Sequence, residues 1–201
     1  MKHNSQAQEQ RRQLRQQLRE NRRQLSDKRQ HLHARQLAKN LRLSRHFMQA
    51  SDIAFYLAED GEISAEYAIK LAWTHKKRVY LPLISPYGNE LFFALYTPAT
   101  RMKLNRFGIA EPAAQIKHCK RAHQLQLIFM PLTGFDLRGN RLGMGGGFYD
   151  RSLHFRRHQK SWRKPKLLGL AHECQKLDQM PVEDWDIPVD GVITEKKLYR
   201  F

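Results

Sequence analysis

Residues 126–151 read QLIFMPLTGFDLRGNRLGMGGGFYDR. The first seven form a near-continuous apolar run, the pattern of a strand buried on both faces rather than one that alternates between core and water. A glycine-rich stretch follows, and the segment from Tyr149 to Trp162 has helical character. In open parallel sheets ligands sit beyond the carboxyl ends of strands, where loops lead into helices. The loop between Leu132 and Tyr149 occupies such a place.

Outward from this stretch the chain alternates. Asp52 to Leu57 is a short apolar run, and Ser64 to His75 carries Tyr67, Ala68, Leu71 and Ala72 at helical spacing. Arg78 to Pro82, Leu91 to Tyr96, Leu167 to Ala171 and Gly191 to Thr194 read as further strands. Strands alternating with helices predict an α/β fold: a single three-layer domain with a mainly parallel central sheet flanked by helices. Ahead of it, Leu14, Leu18 and Leu25 predict an amphipathic helix over 7–26. Ser26 reads as the N-cap of a second helix containing Leu32, Ala34, Leu37, Ala38 and Leu41. With no repeats and no Gly/Ser linker, residues 1–201 are expected to form one unit, a basic helical segment 1–45 packed on a 50–201 α/β core.

Composition bounds the class. Hydrophobic residues make up 41% of 201, enough for one real core. No apolar run approaches the roughly 18 residues of a membrane span, and the first residues lack the apolar stretch of a secretory signal. Cys119 and Cys174 are too few for a disulfide scaffold and lack zinc-type spacing. A cytoplasmic protein with reduced thiols is expected.

Charge is the unusual feature, a formal +17. Residues 1–45 hold thirteen Lys and Arg against Glu9, Glu20 and Asp27. Such a field attracts polyanions, among them nucleic acid, anionic membrane, nucleotide phosphates or a polyglutamylated substrate. A solvated helical face has the same composition.

Six of the eleven glycines fall between Gly134 and Gly147. That density lets the backbone adopt positive φ and gather N–H groups into an anion-binding concavity, to which a following helix adds its positive end. The loop is neither a Walker A sequence nor the dinucleotide pattern. Its neighbours suit a bound nucleotide. Arg141 and Arg151 can neutralise phosphate, Asp150 can hold a metal, and Phe148 and Tyr149 offer flat faces for a ring. Mg²⁺ takes one or two carboxylates and completes its octahedron with phosphate oxygens and water. A second carboxylate is sought in the acidic 181–190 segment, where Asp186 and Asp190 stand; Glu183 and Asp184 fit a solvated turn.

The string from Phe135 and Asp136 through Gly139, Arg141, Leu142, Gly143, Gly145, Gly147, Tyr149, Asp150 and Arg151 resembles the signature of the 5-formyltetrahydrofolate cyclo-ligase, or methenyltetrahydrofolate synthetase, family. Arg11 to Arg15, the Asp60-Gly61-Glu62-Ile63 turn, Phe107 to Pro112 and the late Pro181, Asp186 and Asp190 fit in the right order. The resemblance covers nearly the whole chain from about Arg11. It implies ATP-dependent closure of 5-formyltetrahydrofolate to 5,10-methenyltetrahydrofolate through a phosphorylated formyl group, with ATP as co-substrate and Mg²⁺ as cofactor.

Carried over, it puts Arg11, Arg15 and the loop Gly143, Met144, Gly145, Gly146, Gly147, Phe148 and Tyr149 on ATP. It puts Asp150 and Asp190 on Mg²⁺, and Glu62, Phe107 and Tyr149 on the folate. Arg141, Tyr149 and Asp150 are the residues expected at the reacting atoms. Some relatives carry basic residues inside the loop where Met144 and Gly146 stand here, so Arg141, Arg151 or an amino-terminal arginine is left to supply that charge. A monomer acting on a small-molecule substrate is expected, with no nucleic acid or membrane partner. The alternatives are a basic nucleic-acid-binding protein or another ATP-dependent phosphotransferase on the same loop. The first is weakened because the chain has no RNP string, zinc-finger spacing or helix-turn-helix signal.

Overall fold

The computed structural model describes residues 2–158 and 165–201. Two helices open the chain, α1 (Lys2–Arg23) and α2 (Asp27–Leu41). Ser26 caps α2 as expected, its Oγ accepting from the Arg29 amide at 3.4 Å. A short α3 (Arg45–Gln49) precedes β1 (Asp52–Ala54), and α4 (Glu66–Thr74) leads to β2 (Arg78–Ile84) and β3 (Leu91–Tyr96). A hairpin of β4 (Met102–Leu104) and β5 (Ala110–Pro112) comes before β6 (Leu127–Pro131), and β7 (Gly134–Phe135) pairs with β8 (Arg141–Leu142). Then come α5 (Phe148–Ser152), α6 (Phe155–His158), β9 (Lys166–Leu170), β10 (Gly191–Ile193) and β11 (Leu198–Arg200).

The central sheet has seven strands in the order β11-β10-β9-β6-β1-β2-β3. Its five inner strands are parallel, and the two edges, β11 and β3, pair antiparallel. The expected mainly parallel α/β fold is therefore present. Alternate residues of each inner strand feed two separate cores. Ile53, Leu127, Phe129, Leu168 and Ile193 pack with Leu37, Leu41 and Ala68 beneath α2 and α4. Ala54, Ile128, Met130, Leu167 and Val192 pack with Leu125, Phe135 and Leu153 on the other face. Leu127 to Met130 are all fully buried, each contributing about 1.5–3 kcal/mol of transfer free energy, which is why that run carries no polar alternation.

The helix predicted over 149–162 is two short helices in the described residues, interrupted at Leu153; residues 159–162 lie outside the described part. Breaking the helix there lets Leu153 bury completely and Phe155 pack against the same core. Among the described residues, no helix is long and apolar enough to cross a membrane.

Strand order fixes where a ligand can sit. From β1 the chain moves through α4 to β2 on one side, whereas from β6 it moves to β9 and β10 on the other. β1 and β6 are neighbours, so their carboxyl ends splay apart into a crevice at the topological switch point.

Candidate active site

A cleft of 680 Å³ opens above that switch point. The 59–62 turn, which follows β1, forms one wall. The glycine loop, which follows β6, forms the other, and α1 and the 181–186 segment close the end.

The turn is built by its sequence. Asp60 and Gly61 both have positive φ, +53° and +73°, and the Glu62 amide donates to the Glu59 carbonyl at 2.9 Å. Asp tolerates the left-handed region better than most residues and Gly adopts it freely. Three arginines of α1 then grip the Asp60 carboxylate: Arg19 at 2.7 Å, Arg22 at 2.9 Å, and Arg23. Burial opposes ionisation of Asp60, but these hydrogen bonds override it and hold the carboxyl below its usual range.

Glu62 is treated differently. Its side chain is 9% exposed, accepts a single hydrogen bond among the described residues, from the Glu59 amide at 3.2 Å, and stands 3.9 Å from Arg22 Nη2. Burial outweighs the Glu59 amide and the Arg22 charge and pushes its pKa up to about 7. Beside it the Tyr149 hydroxyl is buried and has no partner among the described residues, while Tyr56 donates to the Ile63 carbonyl at 2.8 Å. Burial raises both phenols, and the Glu62 charge adds to the effect. A buried carboxylate and a buried phenol with unmet hydrogen-bonding capacity are expensive in an empty protein and suited to a polar ligand edge.

The opposite wall is the loop. Gly145 and Gly147 have φ of +100° and +63°. Among the described residues, the backbone N–H groups of Gly143 through Gly147 donate to no protein acceptor. Loop carbonyls, by contrast, are held: Arg15 Nε donates to the Gly143 carbonyl at 2.9 Å, and Arg151 donates to that of Gly146. Burial lowers the Arg15 pKa, yet the guanidinium stays charged. This concavity of free amides bordered by two cations fits an anion. The expected helix-dipole contribution is a correction, since α5 has only five residues and a correspondingly small dipole. Met144, where some relatives carry a basic residue, is half-exposed, with its sulfur accepting from Thr133 at 3.3 Å and from Arg22 at 3.8 Å. Arg15 and Arg151 are the cations that touch the loop backbone.

Arg141 is buried and donates to the Ile187 carbonyl at 3.0 Å and to Asp150. Asp150 Oδ1 also accepts from the Ile187 amide at 3.4 Å, and no protein donor reaches Oδ2 among the described residues. Phe107 stands half-exposed at the rim, edge-on to Phe148 with ring centroids 5.8 Å apart.

Two of the expected site residues are engaged by protein partners instead of standing open to the cleft. Asp190 does not line the cleft. Arg156 at 3.1 Å, Lys166 at 3.0 Å and the Leu167 amide at 2.8 Å engage it instead. Burial opposes its ionisation, but those partners hold its pKa below the usual carboxylate value. The structure therefore does not bring Asp190 together with Asp150. Arg11 lines the cleft, but its guanidinium is committed to Asp186, at 2.5 and 3.0 Å, and to the Pro181 carbonyl at 3.0 Å. It fastens the 181–186 segment to α1 rather than standing open to a phosphate.

The same holds for much of the basic segment. Arg11, Arg15, Leu18 and Arg22 recur every three or four residues, so they share one face of α1. Its Arg11 and Arg15 end borders the cleft, and Leu18 packs against Leu142 and Met180. Arg22, missed from sequence, is fully buried and joins the Asp60 carbonyl at 2.8 Å and the Leu132 carbonyl at 3.4 Å. Its spacing from Arg11 and Arg15 was the available signal.

The family model described as the 5-formyltetrahydrofolate cyclo-ligase family matches residues 7–195. A 5-formyltetrahydrofolate cyclo-ligase of Haemophilus influenzae is 42% identical over 148 residues, 72% of this chain and 76% of that protein. The Escherichia coli K12 protein of the same name is 38% identical over 155 residues, covering 77% and 83%. Among solved structures, the 5,10-methenyltetrahydrofolate synthetase of Aquifex aeolicus superposes with a TM-score of 0.78 at 30% identity, covering 94% of this chain and 92% of that one.

Proposed function

The chain belongs to the 5-formyltetrahydrofolate cyclo-ligase family, and from that membership we propose that it closes 5-formyltetrahydrofolate to 5,10-methenyltetrahydrofolate at the expense of ATP. One juxtaposition carries the reading: unpartnered loop amides and a buried, under-bonded Glu62–Tyr149 pair face the same cleft. The first suits the phosphates of a nucleotide. The second suits the amino-pyrimidine edge of a pterin, whose N–H groups a carboxylate can accept. Residues 1–201 act as one unit in this reading, since the 1–45 segment supplies Arg15 to the loop and Arg22 to the turn.

The formyl oxygen attacks the γ-phosphorus of ATP, the bond to the β-phosphate oxygen breaks, and ADP leaves. The resulting imidate phosphate carries a good leaving group where the formamide oxygen was a poor one. The nitrogen at position ten then adds to the formyl carbon, loses its proton, and expels phosphate. Such a transfer needs positioning and charge neutralisation more than a protein nucleophile. The loop amides, Arg15 and Arg151 neutralise the phosphates, while Arg141 orients Asp150. Phe107, Phe148 and Tyr149 flank the bound rings.

Mg²⁺ fits one place among these residues. Asp150 offers Oδ2, with phosphate oxygens and water left to complete the octahedron. Asp186, the other candidate carboxylate of the acidic segment, has both oxygens held by Arg11. The ion would neutralise charge on the transferring phosphoryl group.

The test is whether ATP hydrolysis requires 5-formyltetrahydrofolate and yields methenyltetrahydrofolate mole for mole. Hydrolysis independent of the folate, or driven by another acceptor, would replace this reading with a different phosphotransferase.

A further inference from the structure

α2 and the ends of β9 and β10 bring together His33, His172 and Glu195, none of which lines the cleft. The two Nδ1 atoms are 2.9 Å apart, with the rings tilted by 54° at a centroid separation of 5.1 Å. Glu195 Oε1 lies 3.6 Å from His33 Nδ1. One donor atom from each residue falls within 4.8 Å of the others, and no other such trio of His, Cys, Asp or Glu occurs among the described residues. The active-site chemistry uses none of them.

The geometry points to a Zn²⁺ site with His33 Nδ1, His172 Nδ1 and Glu195 Oε1 as protein ligands and water completing a tetrahedron. Two imidazoles and a carboxylate are the ligand set of many zinc centres. Zn–N bonds of about 2.0–2.1 Å in a tetrahedron separate two ligating nitrogens by about 3.3 Å. The spacing has to open by a few tenths of an ångström, and the rings, whose Nδ1 atoms now face each other nearly head-on, have to swing so that both lone pairs converge on the ion. His33 can move by that much, because its side chain is 19% exposed on the surface of α2, while His172 is fully buried and fixed.

The surroundings are organised as a metal's outer shell usually is. Glu195 Oε2 accepts from the Glu173 amide at 2.9 Å, which orients Oε1 toward the histidines. The Glu173 carboxylate is itself held by Thr194 Oγ1 at 2.7 Å and the Tyr199 hydroxyl at 2.5 Å. Asn40 Nδ2 donates to the carbonyls of Thr194 and Glu195 at 2.9 and 3.0 Å, pinning α2 to the turn that carries the carboxylate. On its far side, His172 Nε2 is buried without a partner of ordinary geometry, next to the backbone of Gly61. Both nitrogens facing each other can instead share one proton, and that is the competing account.

The test uses untagged, chelator-stripped full-length protein titrated with Zn²⁺ against a chromophoric chelator. We expect one equivalent bound, unaffected by millimolar Mg²⁺, and a tetrahedral absorption band when Co²⁺ replaces Zn²⁺. His33→Ala and Glu195→Gln, both at partly exposed positions, should each weaken binding at least tenfold and abolish any Zn²⁺-dependent rise in Tm. Cys174→Ser should leave the affinity unchanged. Absence of stoichiometric binding would leave only the shared proton. Binding that survives both ligand variants, or vanishes with Cys174→Ser, would equally overturn the assignment.

Discussion

Glu62 and Asp190 are acidic side chains of similar burial that meet opposite treatment. Two cations and a backbone amide surround Asp190, and its pKa falls. Glu62 has one backbone donor, an arginine just beyond hydrogen-bond reach, and a pKa raised to about 7. The first corner is complete in itself: three partners knit α6, β9 and the start of β10 together. The second is incomplete, and the unpartnered Tyr149 hydroxyl sits beside it. The contrast supports placing the proposed folate site beside the under-bonded Glu62 and Tyr149 rather than at the already engaged Asp190.

The sharpest way to break this contrast compares Asp150 with Asp190. Asp150→Asn keeps shape and an acceptor for Arg141 but removes the charge offered to Mg²⁺, so turnover should fall on the order of a hundredfold or more, with Tm nearly unchanged. Near-normal turnover would remove Asp150 from the metal. Next in size, Glu62→Gln replaces one acceptor oxygen with a donor facing the pterin's own N–H groups. A buried mismatch costs about 1–3 kcal/mol, so folate affinity in equilibrium titrations should drop roughly ten- to a hundredfold while ATP affinity holds.

Asp190→Asn should do the reverse of Asp150→Asn. Removing the charge from a partly buried ion-pair cluster should lower stability by about 1–3 kcal/mol in urea melts, with turnover of the folded enzyme within a few-fold of wild type. A large turnover defect in a stable Asp190→Asn protein would restore its place at the metal.

The pH dependence of stability sharpens the Glu62 side. Its folded pKa lies above its usual value of 4.5, so the folded state binds the extra proton between pH 4.5 and about 7. The neutral side chain's contribution is full below pH 4.5 and is lost as pH rises through 7. Glu62→Gln should therefore gain stability relative to wild type between pH 5 and 8, by about 1–2 kcal/mol after allowing for residual solvent access. A pH-independent difference would mean that the carboxyl ionises normally. Smallest is Arg15→Ala, expected to raise the ATP KM several-fold with little change for folate, whereas Arg35→Ala should be silent. Equal effects would indicate diffuse attraction instead of the contact at Gly143.

Much of the fold was legible because its inner strands are apolar on both faces, so Leu127 to Met130 and Leu167 to Leu170 announce themselves without alternation. β11 and the β4–β5 hairpin did not, being three-residue pieces with exposed positions and no periodicity to read. In the site, the glycine loop and the Asp60-Gly61 turn were visible because backbone conformation demands those residue types locally. Arg22 was hidden among thirteen basic residues that look alike until a partner 38 positions away selects one for burial. The partners of Asp190 were equally hidden. Arg156 and Lys166 are distant in sequence, and no local signal marks a carboxylate as already engaged.

The face of α1 that completes the cleft also sets the order in which the molecule can mature. Arg11 meets Asp186 across 175 residues and Arg15 meets Gly143 across 128. Closing loops that long is entropically late, after the β1–β2 and β6–β9 pairings have formed. The Arg22 end of α1 can meet Asp60 across only 38 residues, whereas its Arg11 end has to wait for Asp186. In refolding, far-UV ellipticity should therefore recover before ligand binding does. The lag between them would time the docking of a single helix.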